Sequence, residues 1–347
     1  MENAPARILI IDTAWLGDVI FSTSLIGSVS GTWPRSELHV LAAPRGKAIL
    51  HGHPFVHRLW VYDKHGAQKS VLSLWKLGRE LARAKFDVVL NAHPSLRSRL
   101  LAALTCAPVR VGYSGFLSAF CHTHLVPNDL AVEPDHAARR LALLRALVPE
   151  AKSAPLCVLV QPEASAWAER FLVDHAVGRR PVLALVIGSA WETKRWPIEN
   201  YAALARRWIA EKSGCVVVVG GKAEAELVSR LCAESTGAIP LVSEQIPHVA
   251  ALLSRSTAVV GNDTGVSFLG IAAGARKVVV LFGCTQVDYT FPPPHSALQA
   301  GVPCCLPRTG HGAHRCRWGD VPWCMGQITV ERVWQEIKRV AFGNDER

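Results

Sequence analysis

Several features that would assign this 347-residue chain to other classes of protein are missing from its sequence. No apolar run reaches the roughly 18 residues that a helix needs to cross a membrane. The first apolar run ends at Asp12 after a few residues, so the N-terminus has no signal-peptide pattern. There is also no nucleic-acid-binding motif and no stripe of alternating basic and aromatic residues. We therefore expect a cytoplasmic protein that does not bind nucleic acid.

Acidic residues are fewer than basic ones. The sequence has 28 Asp and Glu residues and 38 Lys and Arg residues, which gives a formal net charge of +10. Such an excess calls for an anionic partner or surface. A phosphorylated substrate and the inner face of a membrane both satisfy it. The charge alone does not choose between them.

Cysteine is present in ten copies, but without a signal sequence these residues are expected to be thiols rather than disulfides. Four of them lie in or after a stretch rich in Pro, Gly and His, residues 291–315, which we expect to be a loop. These four are Cys304, Cys305, Cys316 and Cys324. Their spacing does not match a two-knuckle zinc pattern. Free thiols are the favoured interpretation and a structural zinc or iron site is the alternative, so we predict no cofactor and no catalytic metal.

Short apolar runs alternate with helical patterns along the whole chain. The runs at residues 8–11, 216–219 and 278–282 have little polar alternation, which is typical of strands buried on both faces of a parallel sheet. Amphipathic segments such as 70–84 and 198–211 separate such runs. Strands that alternate with helices predict an α/β fold with doubly wound sheets.

The series of strands and helices restarts after a Gly- and Pro-containing stretch at residues 177–181. We therefore predict three parts: a Rossmann-like domain at residues 1–178, a second at 179–326, and a closing helix within 327–347. The two Rossmann-like domains are expected to face each other across a cleft.

The first stretch that can carry chemistry is Asp-Thr-Ala-Trp-Leu-Gly-Asp-Val-Ile at residues 12–20. Asp18 follows the first predicted strand, where its carboxylate could take a proton from an attacking hydroxyl. The alternative is that Asp18 only caps a helix and that Gly17 is an ordinary turn residue. The residues alone slightly favour this second interpretation.

A second stretch, residues 187–197, lies between a predicted strand and a predicted helix. Ser189 and nearby backbone N–H groups suit phosphate oxygens, and Lys194 adds a compact positive charge beside Arg195. A solvated basic turn before Pro197 explains the same residues equally well.

The third stretch is Gly-Asn-Asp-Thr-Gly at residues 261–265, between an apolar strand and a helix of small residues. The first backbone N–H groups of a helix have no partner inside it, so they can hold a phosphate. Thr264 adds a hydroxyl, and Gly265 permits a close backbone approach. Asp263 could hold the Lys194 loop in place or cap the helix. A plain helix cap accounts for single residues here but less well for the whole run.

Four motifs in order give a resemblance to a known family. They are Gly17-Asp18, Lys194-Arg195-Trp196-Pro197, Asn262-Asp263-Thr264-Gly265 and Leu281-Phe282-Gly283-Cys284-Thr285. Together they resemble the ADP-heptose:lipopolysaccharide heptosyltransferases of glycosyltransferase family 9, which have the GT-B fold. The resemblance covers nearly the whole chain, and residues 91–115 look more like the second heptosyltransferase than the first.

This resemblance implies an inverting transfer of heptose from ADP-heptose to a hydroxyl of the lipopolysaccharide inner core, without a metal. Asp18 would be the general base, and Lys194 would neutralise the donor phosphates. Asp263, Thr264 and Gly265 would belong to the donor site, so the first domain would bind the acceptor and the second the donor nucleotide. Charge from Lys194 and a helix N-terminus can replace a divalent ion at a diphosphate leaving group. The sequence also lacks the Asp-x-Asp motif of metal-dependent transferases.

Three further basic residues are assigned to substrate binding. Arg97 and Arg110 belong to a basic N-terminal half, which is either a set of solvated helix faces or a surface for an anionic lipid-linked glycan. Such an acceptor would bring the protein into peripheral contact with the inner membrane. Lys222 follows a Gly-Gly turn at the place where a donor nucleotide usually passes in a GT-B fold, and Glu224 is the alternative contact.

Phe268 departs from the family's pattern, because the family usually has His at this position. A phenylalanine cannot donate a hydrogen bond to a phosphate or a sugar. Two alternatives therefore stay open beside heptosyl transfer. One is a GT-B transferase that uses another nucleotide sugar, or a different glycan or a protein as acceptor. The other is a nucleotide-sugar binder without catalytic activity.

Overall fold

The computed structural model describes residues 4–128, 135–302, 315–319 and 322–341. The chain divides into two compact units, Met1–Leu159 and Val160–Arg347. Within the described part of the chain, no helix combines the length and the apolar character needed to cross a membrane.

The first unit contains six strands and six helices among its described residues. The strands are β1 (Arg7–Asp12), β2 (Glu37–Ala42), β3 (Arg58–Val61), β4 (Val88–Asn91), β5 (Val109–Tyr113) and β6 (His124–Val126). The helices are α1 (Leu16–Thr32), α2 (Pro44–Leu50), α3 (Val71–Arg83), α4 (Leu96–Leu104), α5 (Ser118–Cys121) and α6 (His136–Arg145). All strands pair in parallel in the order β3-β2-β1-β4-β5-β6. This is the Rossmann order, in which the connections change direction between β1 and β4.

The centre of this sheet is apolar because its strands are covered on both faces. In β1, Ile8 to Ile11 have no exposed surface, as expected for a parallel strand between two helical layers. Ile11 lies level with Asn91 of β4, and Asp12 lies level with Ala42 of β2. Asp12 and Asn91 are therefore polar residues at the carboxyl ends of neighbouring strands, where α/β proteins place their ligands.

The second unit repeats the same plan. Its strands are β7 (Val182–Val186), β8 (Cys215–Gly220), β9 (Ala238–Val242), β10 (Ala258–Asn262), β11 (Val278–Phe282) and β12 (Ser296–Gln299). Its helices are α7 (Pro162–Asp174), α8 (Ile198–Lys212), α9 (Ala225–Glu234), α10 (Ile246–Ser254), α11 (Gly265–Ala272), α12 (Trp323–Gly326) and α13 (Val330–Ala341). The parallel order β12-β11-β10-β7-β8-β9 is again a Rossmann order, with its change of direction between β7 and β10.

The passage between the two units precedes α7, whereas the sequence placed the domain boundary after residue 178. α7 belongs to the second unit because it packs against α10. The Trp167 ring stacks on His248, with 4.2 Å between ring centroids. The closing helix α13 also belongs there, packing on α8 and β11.

The predicted α/β class with two doubly wound sheets is confirmed. One strand lies inside the stretch that we expected to be a loop. β12 continues the second sheet at its edge, pairing with β11 from Val279 opposite Ser296 to Phe282 opposite Gln299. Its side chains are only partly buried.

Candidate functional site

Asp18 lies in the first turn of α1, directly after the carboxyl end of β1. The N-cap position of this helix is Trp15, and no side chain caps it. The carboxylate of Asp18 is therefore not used as a helix cap. Its side chain is 33% exposed.

A buried arginine holds this carboxylate from another helix. Arg140 of α6 donates from Nη2 to Asp18 Oδ1 at 3.0 Å, and the same nitrogen lies 3.4 Å from Asp12 Oδ2. Its Nε donates to Ser22 Oγ at 2.9 Å, and Ser22 in turn donates to Asp12 Oδ2 at 2.5 Å. Among the described residues, Asp18 makes no other hydrogen bond. One of its oxygens thus stays available to a substrate.

These charges keep Asp18 ionised. Burial alone would raise the pKa of Asp18. The positive charge of Arg140 acts against burial, followed in size by His136, by the hydrogen bond from Arg140 and by His93. The net effect places the pKa of Asp18 below its ordinary value of 3.8. Asp18 is therefore a carboxylate at neutral pH.

A second polar cluster occupies the same edge of the sheet. Lys64 Nζ donates to the carbonyl oxygen of Thr13 at 2.8 Å. Thr13 Oγ1 lies 2.9 Å from His93 Nδ1 and 3.1 Å from Ser98 Oγ. Burial is the largest influence on His93 and lowers its pKa below 6.5, although Asp12 and Asp18 act in the opposite direction. The imidazole is therefore neutral at pH 7.

The two arginines assigned to the acceptor lie at different levels of the sheet. Arg97, in the first turn of α4, donates to Tyr62 Oη at 2.8 Å and to the Lys69 carbonyl oxygen at 2.6 Å, which places it at the carboxyl edge. Arg110 lies inside β5, and its guanidinium donates to the carbonyl oxygens of Ala107 and Cys121. The structure brings Arg97, but not Arg110, to the edge that carries Asp18. The binding role of both stays a prediction.

In the second unit, Lys194 and Asp263 form a close ion pair. Lys194 Nζ lies 2.5 Å from Asp263 Oδ2, and about a tenth of each side chain is exposed, 11% and 10%. Thr285 Oγ1 donates to the same carboxylate oxygen at 2.8 Å. A 3₁₀ turn, Glu192–Lys194, presents the lysine after β7. The structure thus brings together three motifs that are far apart in the sequence.

Asn262, at the end of β10, fixes the loop that carries Lys194. Its Nδ2 donates to the Ile187 carbonyl oxygen at 2.9 Å. Its Oδ1 accepts from the Trp196 backbone N–H at 2.9 Å and from Tyr201 Oη at 3.1 Å. Because the side chain is fully buried, these bonds set the position of the whole loop. The sequence motif contains Asn262, but the residue was not assigned a role.

The start of α11 has the geometry expected of an anion site. Thr264 occupies the N-cap position in extended conformation, and its Oγ1 is buried without a partner among the described residues. The N–H groups that begin this helix at Gly265 have no partner inside it. A Cβ on Gly261 would overlap Ser267 Oγ and approach Val186 Cβ to 2.7 Å, so only glycine fits beneath this turn.

The other residues that the sequence assigns to the donor make contacts within their own loops or with neighbouring loops. Arg195 donates from Nε and Nη2 to the Ser189 carbonyl oxygen, at 3.1 and 2.8 Å, and so closes the loop on itself. Lys222 is exposed, and its backbone N–H donates to Glu244 Oε1. The Glu224 carboxyl carbon would be 3.1 Å from a Cβ on Gly188, so Glu224 lies against the Lys194 loop.

Phe268 does not point to open space. Its ring is 3% exposed and packs edge-on to Tyr289, with 5.7 Å between ring centroids, and lies 5.9 Å from Phe291. The side chain that replaces the family's usual histidine is therefore part of an aromatic cluster.

The cysteine cluster is only partly described. Cys304 and Cys305 lie outside the described residues. Cys324 is buried, and a Cβ on Gly283 would lie 3.0 Å from its Sγ. Cys316 is partly buried.

Comparison with known proteins places these features in one family. The family model described as glycosyltransferase family 9 (heptosyltransferase) matches residues 74–307. Lipopolysaccharide heptosyltransferase 2 of Salmonella typhimurium is 27% identical over 95% of this chain and 97% of its own length.

Two solved structures show the same fold. A family 9 glycosyltransferase from Veillonella parvula has a TM-score of 0.85 at 23% identity and covers 99% of both chains. The E. coli ADP-heptose lipopolysaccharide heptosyltransferase II has a TM-score of 0.78 at 21% identity and covers 98% of this chain and 99% of its own. The GT-B class predicted for the fold is thereby confirmed.

Proposed function

This chain belongs to glycosyltransferase family 9, and from that premise we propose that it transfers heptose from ADP-heptose to a hydroxyl of the lipopolysaccharide inner core. The transfer inverts the anomeric centre and needs no metal. The family match and the heptosyltransferase relatives support the reaction class. ADP-heptose as the donor follows from the family resemblance, and the groups of the second unit support a diphosphate-linked donor.

Asp18 is the observation on which this proposal depends most. It is an ionised, partly exposed carboxylate whose one oxygen is fixed by Arg140. The other oxygen accepts the proton of the acceptor hydroxyl as that hydroxyl attacks the anomeric carbon. Arg140 also keeps the carboxylate in one orientation, which favours a single attacking hydroxyl.

The second unit supplies the charge that a departing diphosphate requires. Lys194 offers an ammonium group, and Gly265 offers the first amides of α11. Thr264 adds a hydroxyl that has no partner in the part of the chain that the structure describes. These groups are fixed before the reaction, so they stabilise the charge that develops on the leaving group without rearranging. Asp263 and Thr285 hold the ammonium in place.

The acceptor is proposed to be an anionic, lipid-linked glycan. Lys64 and Arg97 lie with Asp18 at the carboxyl edge of the first sheet, and they suit phosphorylated sugars. An enzyme acting on such an acceptor works on the cytoplasmic side, in peripheral contact with the inner membrane.

An Asp18→Asn variant tests the base. We expect turnover to fall by about 10²–10⁴-fold, since general-base catalysis contributes that much. The Kd for ADP, measured by calorimetry, should stay unchanged because the amide leaves the second unit intact. Glu80→Gln, an exposed carboxylate on α3, is the control. Normal transfer rates in Asp18→Asn would overturn the assignment.

Removal of divalent ions tests the metal-independent mechanism. Transfer should continue at its full rate in excess EDTA, whereas Lys194→Met should lower kcat by about 10²–10³-fold, as for the loss of a transition-state charge partner. A rate lost in EDTA and restored by Mg²⁺ would show that a cation, not Lys194, neutralises the diphosphate.

A second candidate function is transfer from another nucleotide sugar, and Phe268 favours it. Its ring lies in an aromatic cluster and offers no hydrogen bond to a donor. Thermal shifts with ADP-, GDP-, UDP- and dTDP-linked sugars distinguish the two candidates. A shift with ADP-heptose but no transfer to any acceptor would instead indicate a binder without catalysis.

A further inference from the structure

The first unit exposes large apolar side chains on two neighbouring helices. Val71 is 80% exposed and Trp75 44% exposed on α3, and Leu72 is exposed beside them. Leu96 and Leu100 are exposed on α4. Isolated exposed apolar residues need no explanation, but a continuous patch marks an interaction surface.

The spacing of these residues makes them one patch. Gly78 of α3 faces α4, because a Cβ there would lie 2.6 Å from Leu104 Cδ1. Val71 and Trp75 lie on the same side of α3 as Gly78, seven and three positions before it. The two exposed leucines of α4 precede Leu104 by one and two turns on the same side. We call these five residues, Val71, Leu72, Trp75, Leu96 and Leu100, the α3–α4 apolar face.

Basic side chains surround this face. Lys69, Lys76 and Arg79 are exposed, and Arg79 Cζ lies 4.8 Å from the centroid of the Trp75 ring. Glu80 is the one acidic residue of α3, and α4 has none. Long basic side chains beside apolar ones can lay their stems on a lipid surface and reach its phosphates.

The location of the face is informative as well. The exposed apolar residues lie in the first two turns of α3 and α4, and these helices follow β3 and β4 and so begin at the carboxyl edge of the sheet. Arg97 of α4 donates there to Tyr62, which follows β3, and to the carbonyl oxygen of Lys69, which precedes α3. The same edge carries Asp18.

We propose that the α3–α4 apolar face docks on an anionic phospholipid bilayer. Its apolar residues enter the headgroup boundary and its basic rim contacts lipid phosphates. A second copy of the chain is a poorer occupant, because two basic rims would then meet. The inference rests on the proposed function in one respect: docking would hold the acceptor edge close to a lipid-linked substrate.

Vesicle co-sedimentation tests the proposal. The full chain should bind vesicles of 70% phosphatidylethanolamine and 30% phosphatidylglycerol, and bind phosphatidylcholine vesicles at least about tenfold less. Val71→Ser with Trp75→Ser should lower the partition coefficient about tenfold or more, because the apolar contacts are lost. Val173→Ser is the control, because Val173 is an exposed apolar residue of the second unit, and this variant should bind as the parent does.

Charge and transfer measurements complete the test. Lys69→Gln with Lys76→Gln should weaken binding to anionic vesicles only. Val71→Ser with Trp75→Ser should keep the parent's rate on a deacylated, water-soluble acceptor and lose rate on an acceptor in vesicles. Equal vesicle binding by parent and variant would overturn the docking proposal, as would a dimer that the variant abolishes. Vesicle binding without transfer to either acceptor would instead refute the proposed function alone.

Discussion

Arg140 couples the charge of the proposed base to the interior of the first unit. Its guanidinium is buried and pairs with the buried carboxylate of Asp12 and with the partly exposed carboxylate of Asp18. Removing one member of such a group leaves an uncompensated buried charge, which is costly. Asp18 thus depends on a residue 122 positions away in the sequence.

An Arg140→Gln variant should show this dependence in a pH–rate profile. In the parent, Asp18 stays ionised until the pH falls below 3.8, so it contributes no acid limb above that value. Without Arg140, burial dominates and raises the pKa of Asp18, so an acid limb should move to higher pH. Unfolding free energy should also fall by about 3 kcal/mol.

Arg139→Gln is the matched control, because Arg139 directly precedes Arg140 in α6. It removes a positive charge that bonds to Asn128 rather than to Asp18. The same shift of the acid limb in both variants would mean that general charge loss, not the contact with Asp18, is responsible.

At the residue scale the sequence predicts contacts between its own motifs better than contacts made by residues outside them. The hypothesis that Asp263 holds the Lys194 loop agrees with the observed ion pair, because both residues follow strands and end at one edge. Arg140 and His93 were not predicted. Their roles come from contacts between separate helices and loops, and a single sequence contains no spacing that reports such contacts.

At the scale of elements, the start of α11 is the part of the proposed donor site that leaves a polar group for a ligand. The helix has Thr264 as N-cap without a side-chain hydrogen bond, although threonine usually supplies one there. Its hydroxyl is buried and unpaired among the described residues. An unpaired buried hydroxyl is costly and is kept where a ligand satisfies it.

A Thr264→Val variant separates binding from stability at this helix. The replacement keeps the shape of the side chain and removes a hydroxyl that no described residue contacts by a hydrogen bond, so the unfolding free energy should not decrease. Affinity for ADP should fall by about five- to tenfold, as for the loss of one hydrogen bond. Thr264→Ser should retain most of the affinity. A loss of stability without a loss of ADP affinity would show that the hydroxyl supports the helix instead.

Long elements with a clear period were predicted, and short elements at the sheet edges were missed. α3 and α8 follow their predicted bounds within two residues because an apolar stripe defines them. β6 has three residues and β12 has four partly buried residues. An edge strand has one neighbour and an exposed side, so neither an apolar run nor alternation identifies it.

At the scale of the whole molecule, both units have the same strand order. They differ in the side chains that lie at the carboxyl ends of the strands. The first presents Asp18, Arg140 and basic side chains, and the second presents an ion pair and a helix N-terminus. Common strand order with different loops is how one architecture supports separate binding tasks. The duplication was predictable from the alternation of strands and helices, whereas the boundary depended on the packing of α7.

The free energy of unfolding should decrease as the pH drops from about 6.5 to about 4. In this range three histidines stay neutral in the folded protein. Burial is the largest cause that lowers the pKa of His39, His122 and His295, each to about 4. Below pH 6.5 these histidines bind protons in the unfolded chain but stay neutral in the folded chain. The free energy of unfolding therefore decreases as the pH falls. For the buried His39 and His122 the loss is up to about 1.4 kcal/mol per pH unit each.

Urea denaturation at pH 7 and pH 5 measures this effect. His39→Gln keeps an acceptor for the Trp60 indole N–H, which bonds to His39 Nδ1 in the parent, and should reduce the pH dependence. An unfolding free energy that is equal at both pH values would show that these imidazoles accept protons in the folded state.

The ion pair of Lys194 and Asp263 affects which anions can bind to the second unit. The ammonium is already paired with a carboxylate in the absence of a nucleotide, so an isolated negative charge is attracted only weakly to the pair. A pyrophosphate group has enough oxygens to accept hydrogen bonds from Lys194 and from the first amides of α11 at the same time. Inorganic phosphate offers fewer oxygens, so we expect the ion pair to discriminate against small anions in favour of the proposed nucleotide donor.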